Sequence, residues 1–574
     1  MKASITKAGL TLRVIAGTHN AILGIDLQEN KRAGCLGFSI QRTDIGPAKH
    51  PLPTAKQPTR WLPNLLRFPG AKPEEDGAAL TTETAPLQKF RWGDYTLSPA
   101  TRYRYRVVPR YGQPGALTSR PELKDGVEVE VTTEDPASPE TAVFFNRGAA
   151  ASLAFETKFP GIKEVADLKA DDEHAKQALA WLSNGLEEAI LAYLGQATSK
   201  GFALHAAIYE FQKPELLRGL KEAVKRGVDV QVVVHHRKKT EKDTTADKND
   251  KAIEAAELGA VVTLRKAGPQ DAIMHNKFVV LLEKQGEEFK PRAVWSGSTN
   301  WTAGAIYGQL NVGHAIHDAE VADLYERYFQ LLKADTDASE MKHALASLTP
   351  VSLLLPHGHK VTPIFSPQSA DTMLHLYANL CQDASCLLVS APFALSPIVL
   401  AALSKKSDGV LRYMLLDKQA SLGKGEEVHL IEGDPSNSIA AATTLKSPLH
   451  DFQGGLLEGK ESYHHAGIHI HSKIIAVDPF GSDPIIVTGS ANFSRNSTEI
   501  NDSNSLVIRG STAVADIYAT EFMRMFEHYH FRASVAANDD PAPLGLAADD
   551  RWSKKYYVKD SREEKDRRLF AGTS

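Results

Sequence analysis

One short pattern occurs twice in this chain, and few folds can use both copies. The second copy reads His469-Ile470-His471-Ser472-Lys473-Ile474-Ile475-Ala476-Val477-Asp478 and leads to Gly489-Ser490-Ala491-Asn492. The first reads His275-Asn276-Lys277-Phe278-Val279-Val280 and leads to Gly297-Ser298-Thr299-Asn300. His and Lys stand two apart in an apolar, β-branched run, so an extended backbone puts them on one face. The Gly-Ser turn that follows offers hydroxyls, an amide and backbone donors. Such a face suits a tetrahedral dianion, and two copies supply two imidazoles, one to attack phosphorus and one to protonate a leaving oxygen.

The HxK(x4)D…GSxN arrangement resembles the phospholipase D superfamily, whose members carry two such motifs at one active site. His471, Lys473, Asp478, Gly489, Ser490 and Asn492 match it position by position. His275, Lys277, Gly297, Ser298 and Asn300 match as well, but Leu282 stands where the pattern has its Asp. The resemblance implies a catalytic set of His275, Lys277, His471, Lys473 and Asp478, with Asn300, Asn492, Ser298 and Ser490 on the substrate phosphate. It implies a covalent phosphohistidine, with His275 as nucleophile and His471 as acid and then base, and no metal or other cofactor. Many members also place a carboxylate downstream of GSxN to orient the opposite histidine. Here Asn311 and Ser503 occupy those positions, with Asp502 and Glu499 nearby in the second copy only.

Between the motifs the chain reads as a duplicated α/β unit. Helical spacing at Glu187–Leu194, a buried strand at Phe202–Tyr209, an amphipathic helix from Pro214 to Arg226 and a strand at Val228–Val234 precede the first motif, with a helix near Ala252–Leu258. Thr372–Leu380, Cys386–Ser390, Pro397–Ser404 and Val410–Leu416 repeat the order before the second. Helices alternating with parallel-type strands predict α/β/α sandwich halves. The repeat of roughly 190 residues is a domain duplication, expected to bring His275 and His471 together across a pseudo-two-fold axis.

The first 135 residues read as all-β. Thr101-Arg102-Tyr103-Arg104-Tyr105-Arg106-Val107 alternates strictly, and Leu97 to Tyr105 resembles the loop-to-strand corner of fibronectin type III domains. The row of arginines reads as a solvated strand face. A Pro-rich insertion between Gly46 and Ala85 carries Trp61, Leu62, Leu65, Leu66 and Phe68 and is expected to form a long loop that covers or contacts the neighbouring domain. The expected organisation is a β-sandwich over 1–135, two phospholipase D-like halves over 136–345 and 346–535, and a tail over 536–574. Trp552, Tyr556, Tyr557 and Phe570 predict that the tail docks on the body.

Composition narrows the setting. Lys and Arg number 66 against 70 Asp and Glu, so attraction for a polyanion must come from local patches. His235-His236-Arg237-Lys238-Lys239 is one such patch, at the end of a strand where α/β proteins place ligand contacts. Cys35, Cys381 and Cys386 are too few for a disulfide framework. No apolar run has the length of a signal peptide or a membrane span, and a soluble cytoplasmic protein is expected. His464, His465 and His469 could bind a metal, but no acidic cluster accompanies them, and no metal site is expected. The resemblance implies a phosphodiester substrate. Two motifs in one chain resemble phospholipases D and lipid synthases, so a phospholipid, hydrolysed or transferred, is expected; a metal-independent nuclease acting on DNA or RNA is the alternative, and a phosphate-binding pseudoenzyme is the non-catalytic one.

Overall fold

The structure is a computed structural model that describes residues 1–64, 66–71, 80–138, 142–148, 155, 158–168, 172–238, 240, 242–353, 355, 358, 360–405, 409–418, 422, 431, 434–442, 468–536 and 545–573. Strict alternation in the first 135 residues produces two antiparallel sheets. β1 (Lys2–Lys7), β2 (Leu10–Ala16), β3 (Ala21–Leu27) and β6 (Arg91–Asp94) form one. β4 (Gly37–Pro47), β5 (Thr59–Trp61), β7 (Thr101–Gln113), β8 (Ala116–Thr118) and β9 (Val127–Thr132) form the other, with β7 pairing both β4 and β9. Tyr103, Tyr105 and Val107 point inward and are buried. The Tyr103 hydroxyl accepts the Ser98 N–H at 2.8 Å, closing the corner before β7. On the outer face Arg102 and Arg104 pair with Glu130, and Arg106 donates to the Asp125 carbonyl. Phe68 of the insertion packs with Leu36, Ala85 and Leu546, so the insertion lies against its own domain and the C-terminal segment.

The α/β halves are built alike. β10 (Ala142–Phe145), β11 (Phe202–Ile208), β12 (Asp229–His235), β13 (Val262–Arg265), β14 (Lys277–Gln285), β15 (Glu288–Gly297) and β16 (Val312–Ile316) assemble in the order β10-β16-β15-β14-β11-β12-β13. β17 (Lys360–Ser366), β18 (Cys386–Ala391), β19 (Leu411–Leu416), β20 (Asn437–Ala441), β21 (Ile474–Val477), β22 (Ile485–Gly489) and β23 (Ser503–Arg509) repeat it as β17-β23-β22-β21-β18-β19-β20. Only β11–β12–β13 and β18–β19–β20 run parallel; β14 and β21, the strands behind the HxK motifs, join antiparallel. The expectation of parallel-type strands therefore covers three strands of each seven. A short hairpin joins β14 to β15 and β21 to β22, which no parallel connection could do.

Side-chain alternation sorts the layers. Phe278, Val280 and Leu282 of β14 and Ile474 and Ala476 of β21 enter a central core shared with the helices Ala319–Lys333 and Thr512–Ala536. Val279 and Leu281 face an outer core with the helices of the first half, and Ile475 and Val477 face its counterpart in the second. Helix, sheet, helix, sheet and helix layers result. Among the described residues, no helix is long and apolar enough to cross a membrane.

Asp478 ends the second HxK strand in a left-handed conformation, φ 46°. Its Oδ1 accepts the N–H groups of Ser385 and Cys386, both at 2.8 Å, tying the end of β21 to the start of β18. The seven residues from His471 put this carboxylate roughly 20 Å along an extended chain from the imidazole, and we infer a structural part for it in place of the catalytic one expected. Leu282, its counterpart, lies opposite Ala203 at a β-bulge and fills the central core instead. Asp478→Ala should lower stability by about 1–2 kcal/mol, the cost of orphaning these donors. Asp478→Asn, which keeps an acceptor, should lose less. Denaturant titration measures both, and a loss of turnover in a stably folded Asp478→Ala would contradict the structural role.

Candidate functional site

The two HxK segments meet because each pairs with the opposite half. Met274 forms a parallel bridge with Asp502, and Leu310 forms one with Ile470. The His275 N–H donates to the Asp502 carbonyl at 2.7 Å and the His471 N–H to the Leu310 carbonyl at 3.1 Å. Asp502 and Leu310 occupy equivalent places, ten residues past each GSxN asparagine, so the halves are exchanged by the same contact. The imidazoles of His275 and His471 end with centroids 6.3 Å apart and planes at 75°. Both residues are 4% exposed.

Each ring is oriented across the interface. His275 Nδ1 lies 2.9 Å from the Ser490 carbonyl oxygen, which can only accept, so this nitrogen carries the proton. His471 Nδ1 lies 2.9 Å from Asn311 Oδ1. That amide is fixed, because Asn311 Nδ2 donates to the Ala305 carbonyl and Ser298 Oγ donates to Oδ1. Nε2 is therefore the nitrogen with a lone pair in both neutral rings. The orienting carboxylate is replaced by an amide on one side and a peptide carbonyl on the other. Ser503 does not reach His275, and its Oγ is buried without a partner. Glu499 is engaged by Arg495 and the Asp371 N–H, and the Asp502 carboxylate by Arg237 and Arg265.

The GSxN turns follow from close backbone approach. A Cβ at Gly297 would stand 2.2 Å from the Val312 carbonyl oxygen, and one at Gly489, where φ is 132°, would stand 2.5 Å from that of Asn504. Only glycine fits. Ser298 Oγ accepts from the Val312 N–H as well as donating to Asn311, and Ser490 Oγ accepts from the N–H and Nδ2 of Asn504. Both hydroxyls, expected on a substrate phosphate, thus hold the turns. A π-helical turn follows each motif, Gly304–Gly308 and Asn496–Ile500.

The lysines are buried at the same centre. Lys277 Nζ donates to the His275 carbonyl and Lys473 Nζ to the His471 carbonyl, each at 2.6 Å. Lys277 also lies 5.1 Å from the centre of the Tyr209 ring. Asn300 Nδ2 donates to the Glu210 carboxylate, and Oδ1 of both Asn300 and Asn492 is buried without a partner. Burial holds both histidines well below the usual imidazole range, and the two ammoniums push further in the same direction. Lys277 is lowered by burial and Lys473, with Glu210 opposing; Lys473 is lowered by burial alone. Among the described residues the site is thus short of negative charge.

The other sequence candidates lie elsewhere. Arg237 is buried on Asp502 and Lys238 pairs with Asp247; Lys239 lies outside the described residues. His464 and His465 lie outside them too, while the His469 N–H donates to Asp417. No group of three or more His, Cys, Asp or Glu is placed to hold a metal among the described residues. Sequence reasoning missed Tyr209, Glu210 and Asn276. Asn276 Nδ2 reaches the Asp502 carbonyl and Tyr328, and its Oδ1 accepts from Asn504. The available signal was the polar pair directly after β11, at the carboxyl end of a strand.

The family model described as cardiolipin synthase, PLD-like domain, matches residues 190–333 and 380–526, together just over half of the chain. Among curated proteins none matches. Solved structures with a likeness include a polyphosphate kinase from Porphyromonas gingivalis, at 13% identity and TM-score 0.36 over 58% of this chain. The chain spans 46% of that kinase. Phosphatidylserine synthase of Haemophilus influenzae Rd KW20 aligns at 13% identity and TM-score 0.40 over 60% of this chain and 84% of its own. Nuc, a phospholipase D family member from Salmonella typhimurium, aligns at 21% identity and TM-score 0.21 over 26% and 87%. With one match on each half, both spanning the HxK and GSxN motifs, the chain belongs to the cardiolipin synthase, PLD-like domain family of the phospholipase D superfamily.

Proposed function

We propose that the protein is a phosphodiesterase that cleaves or exchanges a phospholipid phosphodiester through a covalent phosphohistidine, without a metal. The pair of imidazoles carries the reading: two halves deliver them to 6.3 Å, each with Nδ1 tied and Nε2 left for chemistry. The Nε2 lone pair of His275 forms the P–N bond as the P–O bond to the leaving group breaks. His471, protonated at Nε2, gives that proton to the departing oxygen. Water or an acceptor alcohol then attacks phosphorus and loses its proton to His471 Nε2, and the P–N bond breaks to return neutral His275. Lys277, Lys473, Asn300 and Asn492 would hold the non-bridging oxygens as charge develops.

Two buried ammoniums that share the single carboxylate of Glu210 among the described residues explain why the substrate itself matters for protonation. A bound phosphodiester places negative charge between Lys277 and Lys473 and raises the proton affinity of His471, which the acid role requires. Two ammoniums also supply the positive charge for which other phosphoryl-transfer sites use a divalent ion. The family's description favours a lipid. So does the basic loop after β12, where Arg237 is spent on Asp502 and Lys238 on Asp247.

The deciding experiment incubates purified protein, in EDTA, with phospholipid vesicles and separately with single- and double-stranded DNA and RNA. Release of headgroup or of a transfer product from the vesicles is expected, undiminished by EDTA. Cleavage of nucleic acid with the vesicles intact would overturn the lipid substrate, and inhibition by EDTA the metal-independent chemistry.

His275→Ala and His471→Ala should each lower kcat by roughly 10²–10⁴-fold or more, with melting temperature at pH 7.5 retained. Substantial turnover by either variant would show that the two imidazoles do not share one reaction.

The same histidines should make stability pH-dependent. Their folded pKa values lie below the ordinary value of 6.5. Their contribution is thus complete above pH 6.5 and is lost as the unfolded chain takes up protons below it, by up to about 1.4 kcal/mol per pH unit for each. His235 and His314, both pushed to about 3 by burial, act with the same sign. The informative quantity is therefore the difference in slope between wild type and His471→Ala, measured by denaturant melts from pH 7 to 5. A flatter slope is expected in the variant, and an identical one would place a charged His471 in the empty site.

A further inference from the structure

One difference between the two halves lies beside the lysines. Ile208 of β11 lies opposite Lys277, and Ser390 of β18 lies opposite Ile474, so Ala391 is the register partner of Lys473. Two residues beyond these partners stand Glu210 in the first half and Phe393 in the second. Glu210 turns a carboxylate onto Asn300 Nδ2 and faces Lys277. Phe393 is 42% exposed and brings no charge.

We propose that Glu210 is a positioning residue that makes the two lysines unequal: its carboxylate secures the charge of Lys277 and fixes Asn300, whereas Lys473 takes its counter-charge from the substrate phosphate. The inference rests on the phosphodiesterase reading and deepens it. Burying an ammonium without a partner is costly, and one removed from water either finds an anion or sheds its proton. Lys277 faces Lys473 and Glu210, and the carboxylate is the group that opposes its loss of charge. Glu210 in turn faces Lys277, Lys248 of the helix Thr245–Ala255 and Asp243. For Lys473, no carboxylate opposes the effect of burial among the described residues.

The consequence is directional. With Glu210 opposing the loss of charge at Lys277, the ammonium without a carboxylate among the described residues is that of Lys473, in the half that carries His471. A phosphodiester monoanion supplies the single charge that completes the site. The hydrogen bond to Glu210 also takes one Asn300 N–H, leaving the other donor of that amide for a phosphate oxygen.

Glu210→Gln separates charge from geometry, because its amide oxygen can still accept from Asn300. The test measures tungstate binding by calorimetry, and kcat/KM on whichever phosphodiester is turned over, from pH 6 to 10. In Glu210→Gln the alkaline limb of both profiles should move down by about one pH unit or more, the usual effect of losing an opposite charge at close range. At a fixed pH on that limb, tungstate should bind about tenfold more weakly than to wild type. Glu210→Ala should show the same displacement, with a further loss of affinity across the whole range. Profiles of Glu210→Gln that superimpose on wild type would overturn the proposal, as would weakening confined to Glu210→Ala. Tungstate that fails to bind wild type would overturn it too. A wild type that binds tungstate but turns over no phosphodiester would defeat the phosphodiesterase reading alone, and the binding arm would still decide the role of Glu210.

Discussion

The site depends on a short exchange of backbone hydrogen bonds between the halves. Met274 and His275 are held by the segment around Asp502, and Ile470 and His471 by the segment around Leu310. Each catalytic candidate is thus fixed by the domain that does not contain it. The side chains follow the same rule, since His275 bonds Ser490 and His471 bonds Asn311. Neither half can arrange its histidine alone, which is a physical reason for retaining two copies in one chain.

Holding the halves at this separation requires more than the pairing itself. The Asp502 carboxylate sits between Arg237 and Arg265, both buried, and Arg265 also binds Asp335 and the Thr336 carbonyl. Such a cluster is costly to bury and costly to break. It pins the strand segment whose carbonyl holds His275. On the equivalent path in the first half Leu310 makes the backbone contact with an apolar side chain, buried in the central core. One side of the exchange is thus locked by charge and the other by packing.

The flanking segments brace the halves from outside. In the helix Thr512–Ala536, Tyr518 hydrogen-bonds His314 at 2.6 Å, Asp516 binds Lys2 and Glu527 binds Arg91 of β6. Trp552 stacks on Phe90 at 5.4 Å, and Phe570 is fully buried. The N-terminal sandwich and the C-terminal segment are joined to the catalytic body through one continuous set of aromatic and ionic contacts.

Periodicity and spacing in the sequence determined the duplication, the strands behind each HxK motif and the all-β character of the first domain, and singled out the histidines and lysines as candidates. These are local quantities: alternation, apolar runs and fixed intervals act over a few residues. The docking of the tail was legible for the same reason, because Trp552, Tyr556, Tyr557 and Phe570 are too apolar to remain in water. Tertiary structure alone decided the antiparallel entry of β14 and β21, since pairing direction depends on contacts between distant strands. It engaged Asp478 and the two GSxN serines with N–H groups and an amide that no local pattern foretells. It also brought Glu210 to Asn300 and Lys277 across 90 and 67 positions of sequence. A carboxylate at the end of a strand is unremarkable in a sequence. Its meaning comes from the buried Lys277 and the Asn300 amide that folding places beside it.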